Sequence, residues 1–437
     1  MRKLYFVLAA TALSAPHLSA QPLTRDEAVR IALKNSLGIQ LAKNAVNIAA
    51  IYNSVGIAGG LPVVTGTISD QENSPSFRQM YTNAASNKSS NNAFSNNLSG
   101  AINGYMLLYN GQRVVNAKRQ LNTVEAQSRQ LLSSRALVLV NNVLLKYYDV
   151  VRQQSYAKTL QASIDAQKQQ LAIVQAQQGV GLANNADLFQ SQVDLNTQVQ
   201  NLQAQQLVID QDKTDLLTLM TVNPDSSVVV EDTILIDRQI RLPAILSAVR
   251  DANPDIIAAN LQITTNQYIE KQVGALRYPS LSLGAGYNYS RTSNSSVSQY
   301  SPLFSLYYGP YAGLTLSIPI FNGNIYRKQQ EVAAINVRSA RAVRDTLLLG
   351  YTAAAIKSWQ AYTNNLQQVE TAQANYDLSR KLLNLVMQRF QLKQATIVDV
   401  KNAQQSFENA GFLLVNVSYA AKAAEITLRR YANQLVQ

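Results

Sequence analysis

The sequence predicts a mainly helical protein with a membrane β-barrel part, built from a tandem-duplicated unit of β-hairpin plus long helix. Three observations predict it. The stretch Leu314-Thr315-Leu316-Ser317-Ile318-Pro319-Ile320-Phe321-Asn322-Gly323 alternates apolar with small or polar residues and ends in aromatic-Asn-Gly. That period belongs to a strand whose two faces meet different surroundings. Ile102-Asn103-Gly104-Tyr105-Met106-Leu107-Leu108-Tyr109-Asn110-Gly111 ends the same way, and the two closing glycines lie 212 residues apart (323 less 111). Each copy then feeds a long run free of proline, so an internal repeat is the first feature to settle.

Composition narrows the class. Charged residues make up 15% of the 437, against about 25% in an ordinary soluble protein. Asn, Gln and Ser fill the gap, and there are 22 tyrosines. Residues 1–20 read as a secretory signal peptide: Arg2 and Lys3, an apolar stretch from Leu4 to Leu13, and a small-residue cut after Ala20. The single histidine, His17, falls in that segment and there is no cysteine. A mature chain without His or Cys loses the commonest general base, zinc ligation and thiol chemistry together, and no cofactor or metal site is read. The formal charge of +12, or +10 without Arg2 and Lys3 (12 less 2), is dispersed rather than clustered with aromatics. This suits solvated helix faces and opposes nucleic-acid binding.

In chain order, Thr24 to Val55 reads as a first helix opened by a capping box, Thr24 with Glu27. Its counterpart runs from Leu242 to about Val273, and Asn35 and Asn253 mark a kink in each. A proline then opens a strand in both copies, Pro62 and Pro279. Leu281, Leu283, Ala285, Tyr287 and Tyr289 share one face, as do Leu314, Leu316, Ile318 and Ile320. In the first copy Ile102, Met106 and Leu108 correspond, and the stretches Ser69–Asn97 and Ser290–Ser305 read as polar loops. Strands of about ten residues with one apolar face and terminal tyrosines fit a membrane barrel. A soluble sandwich would instead turn that face inward. Four strands cannot seal a barrel in lipid, so several chains must pool them. Three chains would give about 12 strands and two would give about eight, the size of the smallest bacterial barrels.

The helical runs are long. Gln112 to Gln178 contains neither glycine nor proline and would span about 100 Å. Such a helix belongs to a coiled coil or a tube of helices. Asn184 to Val222 returns at half length, and the second copy repeats the pattern with Asn324 to about Phe390 and Thr396 to Gln434. The organisation expected is a signal peptide at 1–20, a first repeat at 21–222, an equatorial connector at 223–241 and a second repeat at 242–437.

Two short segments carry a specific likeness. Phe390-Gln391-Leu392-Lys393-Gln394-Ala395-Thr396-Ile397-Val398-Asp399-Val400, with Gln404, resembles the helix-turn-helix tip of TolC-like outer membrane efflux proteins (outer membrane factors). Gly179-Val180-Gly181-Leu182-Ala183-Asn184-Asn185-Ala186-Asp187-Leu188, with Gln192, resembles its partner tip, and Asp187 and Asp399 again differ by 212. The likeness covers the whole mature chain in element order. It implies a homotrimer with a 12-stranded barrel in the outer membrane of a Gram-negative bacterium and a large periplasmic tunnel of helices. That tunnel docks a periplasmic adaptor (membrane fusion) protein and, through it, an inner-membrane transporter, serving efflux or type I secretion.

By the same resemblance, Val180, Gly181 and Leu182 match the adaptor-contact tip. Leu392, Lys393 and Gln394 stand in its second copy and depart from it. Asp399 matches a constricting carboxylate, Asn402 stands where a second one is common, and Phe390 stands where a gating tyrosine is common. Ala395 replaces a linking arginine, so no salt bridge from it to Asp187 is possible. The expectation is a periplasmic gate closed by packing plus a ring of Asp399, with Asp187 beside it. The competing reading makes Asp187 and Asp399 N-terminal caps of the return helices. At the level of function, the alternative to a passive export duct is a periplasmic coiled-coil structural or adaptor protein without a membrane span. Such a protein needs no outward apolar strand face. An enzyme is opposed by the missing His and Cys and by the lack of a phosphate-cradling glycine loop.

Overall fold

The computed structural model describes residues 23–295 and 302–435. The expected signal peptide, and the middle of the second polar loop, lie outside the described residues. Eight α-helices and six strands follow in the order α1 (Arg25–Asn35), α2 (Leu37–Tyr52), β1 (Val63–Asn73), β2 (Phe77–Gln79), β3 (Lys88–Ser90), β4 (Ser95–Tyr109), α3 (Arg113–Gly179), α4 (Asn185–Leu219), α5 (Leu242–Asp251), α6 (Pro254–Ala275), β5 (Ser280–Asn294), β6 (Phe304–Ser317), α7 (Ile325–Gln391) and α8 (Ile397–Tyr431). Helices α3 and α7 each have 67 residues, and α4 and α8 each have 35. Both pairs start 212 residues apart (325 less 113, and 397 less 185). Two compact units share the chain. One holds the described part of Met1–Gln40 with Arg135–Asn253 and Gly350–Gln437; the other holds Leu41–Ser134 and Pro254–Leu349.

The second unit carries an antiparallel sheet in the order β1-β4-β5-β6. Opposed residues share a face, and the rows Met106↔Leu283↔Leu314 and Ile102↔Tyr287↔Pro310 put the apolar side chains together. That face is solvent-exposed: Ile68 is 86% and Leu314 66% accessible. The other face carries Thr65, Asn103, Ser282 and Thr315. There the Tyr311 hydroxyl donates to Asn103 Oδ1 at 2.7 Å. It reaches across Gly286, where a Cβ would sit 2.8 Å from the tyrosine ring.

The expected polar loops are shorter than the sequence suggested. Strand β1 runs on to Asn73, β4 begins at Ser95 and β5 reaches Asn294, because paired neighbours carry Asn and Ser into the ladder whatever their propensity. The first loop folds as a small hairpin of β2 and β3. A bulge between Leu107 and Tyr109 puts Tyr109 opposite Leu281 and takes Leu108 out of the expected alternation. Strand β6 stops at Ser317, so Ile318 and Ile320 lie beyond it. No described helix is long and apolar enough to cross a membrane.

The elbows that lead from strand to long helix use one device twice. Gly111 and Gln112 are left-handed (φ 63° and 68°), as are Gly323 and Asn324 (φ 65° and 62°). Gly111 is also pressed against Tyr278, where a Cβ would come within 2.8 Å.

In the first unit, the kink expected at Asn35 is a break at Ser36, whose hydroxyl lies 3.4 Å from the Ile39 N–H it accepts. The break expected at Asn253 separates α5 from α6, which opens on Pro254. The capping box at Thr24 forms only by half. Thr24 Oγ1 accepts from the Glu27 N–H at 3.3 Å, while Glu27 turns to Arg30 one turn on. The main core packs Ala28, Val143, Tyr147, Val151, Leu216 and Ile426 with Val230 of the connector. A second apolar core, of Val174, Leu383, Met387, Phe390, Val400 and Phe407, lies near the helix ends.

Candidate tip and connector sites

Two helix-to-helix turns form the candidate tip. Both close with the same C-cap hydrogen bonds. Gly181 N–H donates to the Gln178 carbonyl at 2.9 Å and Leu182 N–H to that of Gln177 at 2.7 Å. Their counterparts are Lys393 to Phe390 at 3.1 Å and Gln394 to Arg389 at 2.7 Å. Gly181 has φ +73° and Lys393 φ +63°, so a lysine holds a left-handed conformation in which L-residues lose about 1–2 kcal/mol. Val180 and Leu182 are 69% and 60% exposed, and Leu392 is 67% exposed. Lys393 and Gln394 are exposed too.

Asp187 and Asp399 both sit in complete capping boxes. Asp399 Oδ2 accepts from the Thr396 N–H and from the Thr396 hydroxyl, both at 2.8 Å. These donors hold its carboxyl below the usual carboxylate range. Capping is therefore a role that both aspartates play. Asn402 is exposed on α8 one turn on. Phe390 is 5% exposed, inside the second apolar core. Lys401 pairs with Asp194 of α4 at 2.9 Å.

A buried charge network, which the sequence reading missed, fastens the connector. Lys422 and Glu425 form a pair at 3.0 Å with side chains 7% and 4% exposed. The Glu425 carboxylate also accepts the Asp237 N–H at 3.1 Å. Arg429 meets the Asp237 carboxylate at 2.6 Å, and the Tyr362 hydroxyl donates to the Asp237 carbonyl. Earlier in the connector, the Tyr147 hydroxyl lies 3.1 Å from both the Leu23 carbonyl and the Asp232 carboxylate. Burial beside that carboxylate pushes the phenol well above its ordinary value. The only trace of this network in the sequence is the i, i+3 and i, i+4 spacing of Lys422, Glu425 and Arg429, which solvated helices share.

Repeated strand-to-helix elbows, paired tips and a sheet with an exposed apolar face characterise the fold. Solved structures with this fold include VceC of Vibrio cholerae (TM-score 0.75, 17% identity, 93% of this chain and 95% of that one). CmeC of Campylobacter jejuni is another (TM-score 0.72, 17% identity, 99% and 94%). Residues 245–434 match the model of the family Outer membrane efflux protein. Outer membrane protein TolC of Vibrio cholerae serotype O1 is 25% identical over 355 residues, 76% of either chain. The resemblance read from the sequence is thus borne out: residues 245–434 match this family, and the fold is that of solved outer membrane channels. None of these matches is described as an enzyme.

Proposed function

We propose that three copies of this chain form a passive export duct, the outer-membrane component of a tripartite efflux or type I secretion system. Each copy gives four strands to a 12-stranded barrel in outer-membrane lipid, and the helices continue it as a tunnel. The repeats are 21–222 and 242–437, with 223–241 as the equatorial connector. One observation carries the proposal. The sheet ends in two strands, β1 and β6, with no further neighbour among the described residues, and its apolar face is exposed. In lipid, open edges are not tolerated, whereas the β6 edge of one copy can pair with the β1 edge of the next. Energy comes from an inner-membrane transporter reached through a periplasmic adaptor. The adaptor contacts Val180, Gly181 and Leu182, and the second tip at Leu392, Lys393 and Gln394. Asp399, Asn402 and Asp187 constrict the periplasmic end, and Phe390 closes it by packing.

The membrane fraction decides the first part. The protein is expected in the outer membrane with the native size of three chains, and a stably folded, water-soluble single subunit would overturn it. Planar-bilayer recording decides the gate. Phe390→Ala is expected to raise resting conductance, and an unchanged conductance removes the gating role.

A further inference from the structure

The two strand-to-helix elbows share a backbone and differ in charge, and the difference points to a ligand. Adding 212 to a residue of α3 gives its counterpart on α7. In the second elbow the first turns of α7 carry Lys328 and Glu331, which pair at 2.8 Å, with Arg327 also on Glu331 at 3.4 Å. The counterparts in the first elbow are Asn116 and Arg119. The carboxylate that neutralises the second elbow is thus replaced by a guanidinium in the first.

Beside that guanidinium lies an open cavity of about 430 Å³. Asn116 and Arg119 of α3 line it, with Lys271 and Arg277 of α6 and Gln330 of α7. No carboxylate lines it; Glu270 and Glu331 both fall outside. Arg119, Lys271 and Arg277 are exposed, and none has an ion pair among the described residues. Lys271 rests over the Tyr268 ring at 5.4 Å, and Arg277 donates to Gln330 Oε1. Asn116 is only 6% exposed, yet its side-chain amide makes no hydrogen bond among the described residues. Buried polar groups are hydrogen-bonded in native proteins, so its partner enters through the cavity it lines. The first turn of α3 adds the positive end of a 67-residue helix.

Three cations and a buried amide at a helix N-terminus are a donor set for a phosphate oxyanion. Position indicates where that phosphate comes from. Tyr109 ends β4 just before the cavity, and Tyr278 stands just before β5. Both rings are about half exposed, as aromatic side chains are at the level of lipid headgroups. The exposed apolar face of the sheet ends at the same place.

We infer that the first elbow binds a phosphate group, and that a phospholipid headgroup at the helix-side rim of the sheet supplies it. Arg119, Lys271 and Arg277 hold its charge, and the Asn116 amide donates to one of its oxygens. The second elbow is neutralised from within and takes none. The lipid source rests on the duct reading above, in which lipid covers the apolar face; the anion chemistry does not.

Native mass spectrometry of the full-length protein, extracted from membranes in mild detergent, tests this with three probes: phosphatidylglycerol, diacylglycerol of the same acyl length, and inorganic phosphate. Phosphatidylglycerol is expected to leave one retained adduct per chain and diacylglycerol none, and inorganic phosphate should displace the lipid. Arg119→Gln with Lys271→Gln should weaken retention by about tenfold or more. Lys328→Gln, at the second elbow, should leave it unchanged. An unaltered native three-chain size and unaltered amide exchange over 110–120 show that the variants fold. Equal retention of the two lipids, or equal retention by the double variant, overturns the site and leaves the duct standing. Binding of inorganic phosphate without lipid overturns the headgroup source. A water-soluble single chain overturns the duct reading, and the headgroup source with it.

Discussion

The two tips share a backbone and differ in what covers them. Helices α4 and α8 have the same length, the same capping box and the same preceding turn. Yet α4 buries four residues, Ser191, Ile209, Leu216 and Leu217, and α8 buries twelve. Local structure is therefore written identically in both repeats, while tertiary burial is not. The cause is visible in single positions. Phe407 is 2% exposed in the tip core, and its counterpart 212 residues earlier, Leu195, is half-buried. Within one chain α8 is an anchored element and α4 a lightly held one.

The largest expected effect sharpens that contrast. Phe407→Ala should open a cavity in the tip core and cost about 3–5 kcal/mol. Leu195→Ala should cost clearly less, about 1–2 kcal/mol. Chemical denaturation followed by hydrogen exchange of tip amides measures both, and equal losses would break the distinction between the two helices. Next comes Gly411→Ala. Its methyl group would lie 2.5 Å from Thr159 Cγ2, and such overpacking costs about 1–3 kcal/mol. Val199→Gly, the reverse change at the equivalent site, should leave the α3–α8 contact untouched and act only through helix propensity, at about 1 kcal/mol.

Much of this plan was legible beforehand, for identifiable reasons. Proline-free runs and Asn-Gly elbows are local signals, so the helix lengths and the 212-residue offset could be read directly. The kinks at Asn35 and Asn253 were legible in the same way. The extra strand length was not, since Asn96 and Asn294 disfavour strands alone and are held by partners in the ladder. Lys422 was read among solvated charges, because nothing in a linear pattern says that Glu425 and the Asp237 backbone will enclose it. At the tips, Asp187 and Asp399 were recognisable as both caps and carboxylates near a turn. Their capping is seen within one chain, and the constriction proposed for them lies between chains.

The two turns offer a smaller effect. Lys393 occupies a left-handed position that its counterpart, Gly181, fills without strain. Lys393→Gly should stabilise the second turn by about 1 kcal/mol, the relief of backbone strain being partly offset by the freer unfolded chain. Gly181→Lys should destabilise the first turn by a similar amount. Slower amide exchange at Leu392–Gln394 in the first variant and faster exchange at 180–182 in the second would bear this out. If Lys393→Gly instead loosens its turn, the lysine side chain contributes a contact that outweighs the strain.

The smallest effect concerns the second cap alone. Asp399 accepts two hydrogen bonds from Thr396 in its ionised form, so its carboxyl is held below the ordinary value of 3.8. The sign follows from linkage. A carboxylate depressed in the folded state contributes stability that is fully present above its unfolded value and is lost as pH falls through the lower folded one. The first turn of α8 should therefore exchange its amides independently of this group at neutral pH, and loosen only below about pH 4. Asp399→Asn keeps the side-chain acceptor but removes the charge, and should abolish that acid-dependent step while leaving the helix otherwise intact. Thr396→Ala should loosen the turn at every pH, by about 1 kcal/mol. An acid step that persists in Asp399→Asn would assign it to another group and leave Asp399 as a cap whose charge has no energetic role.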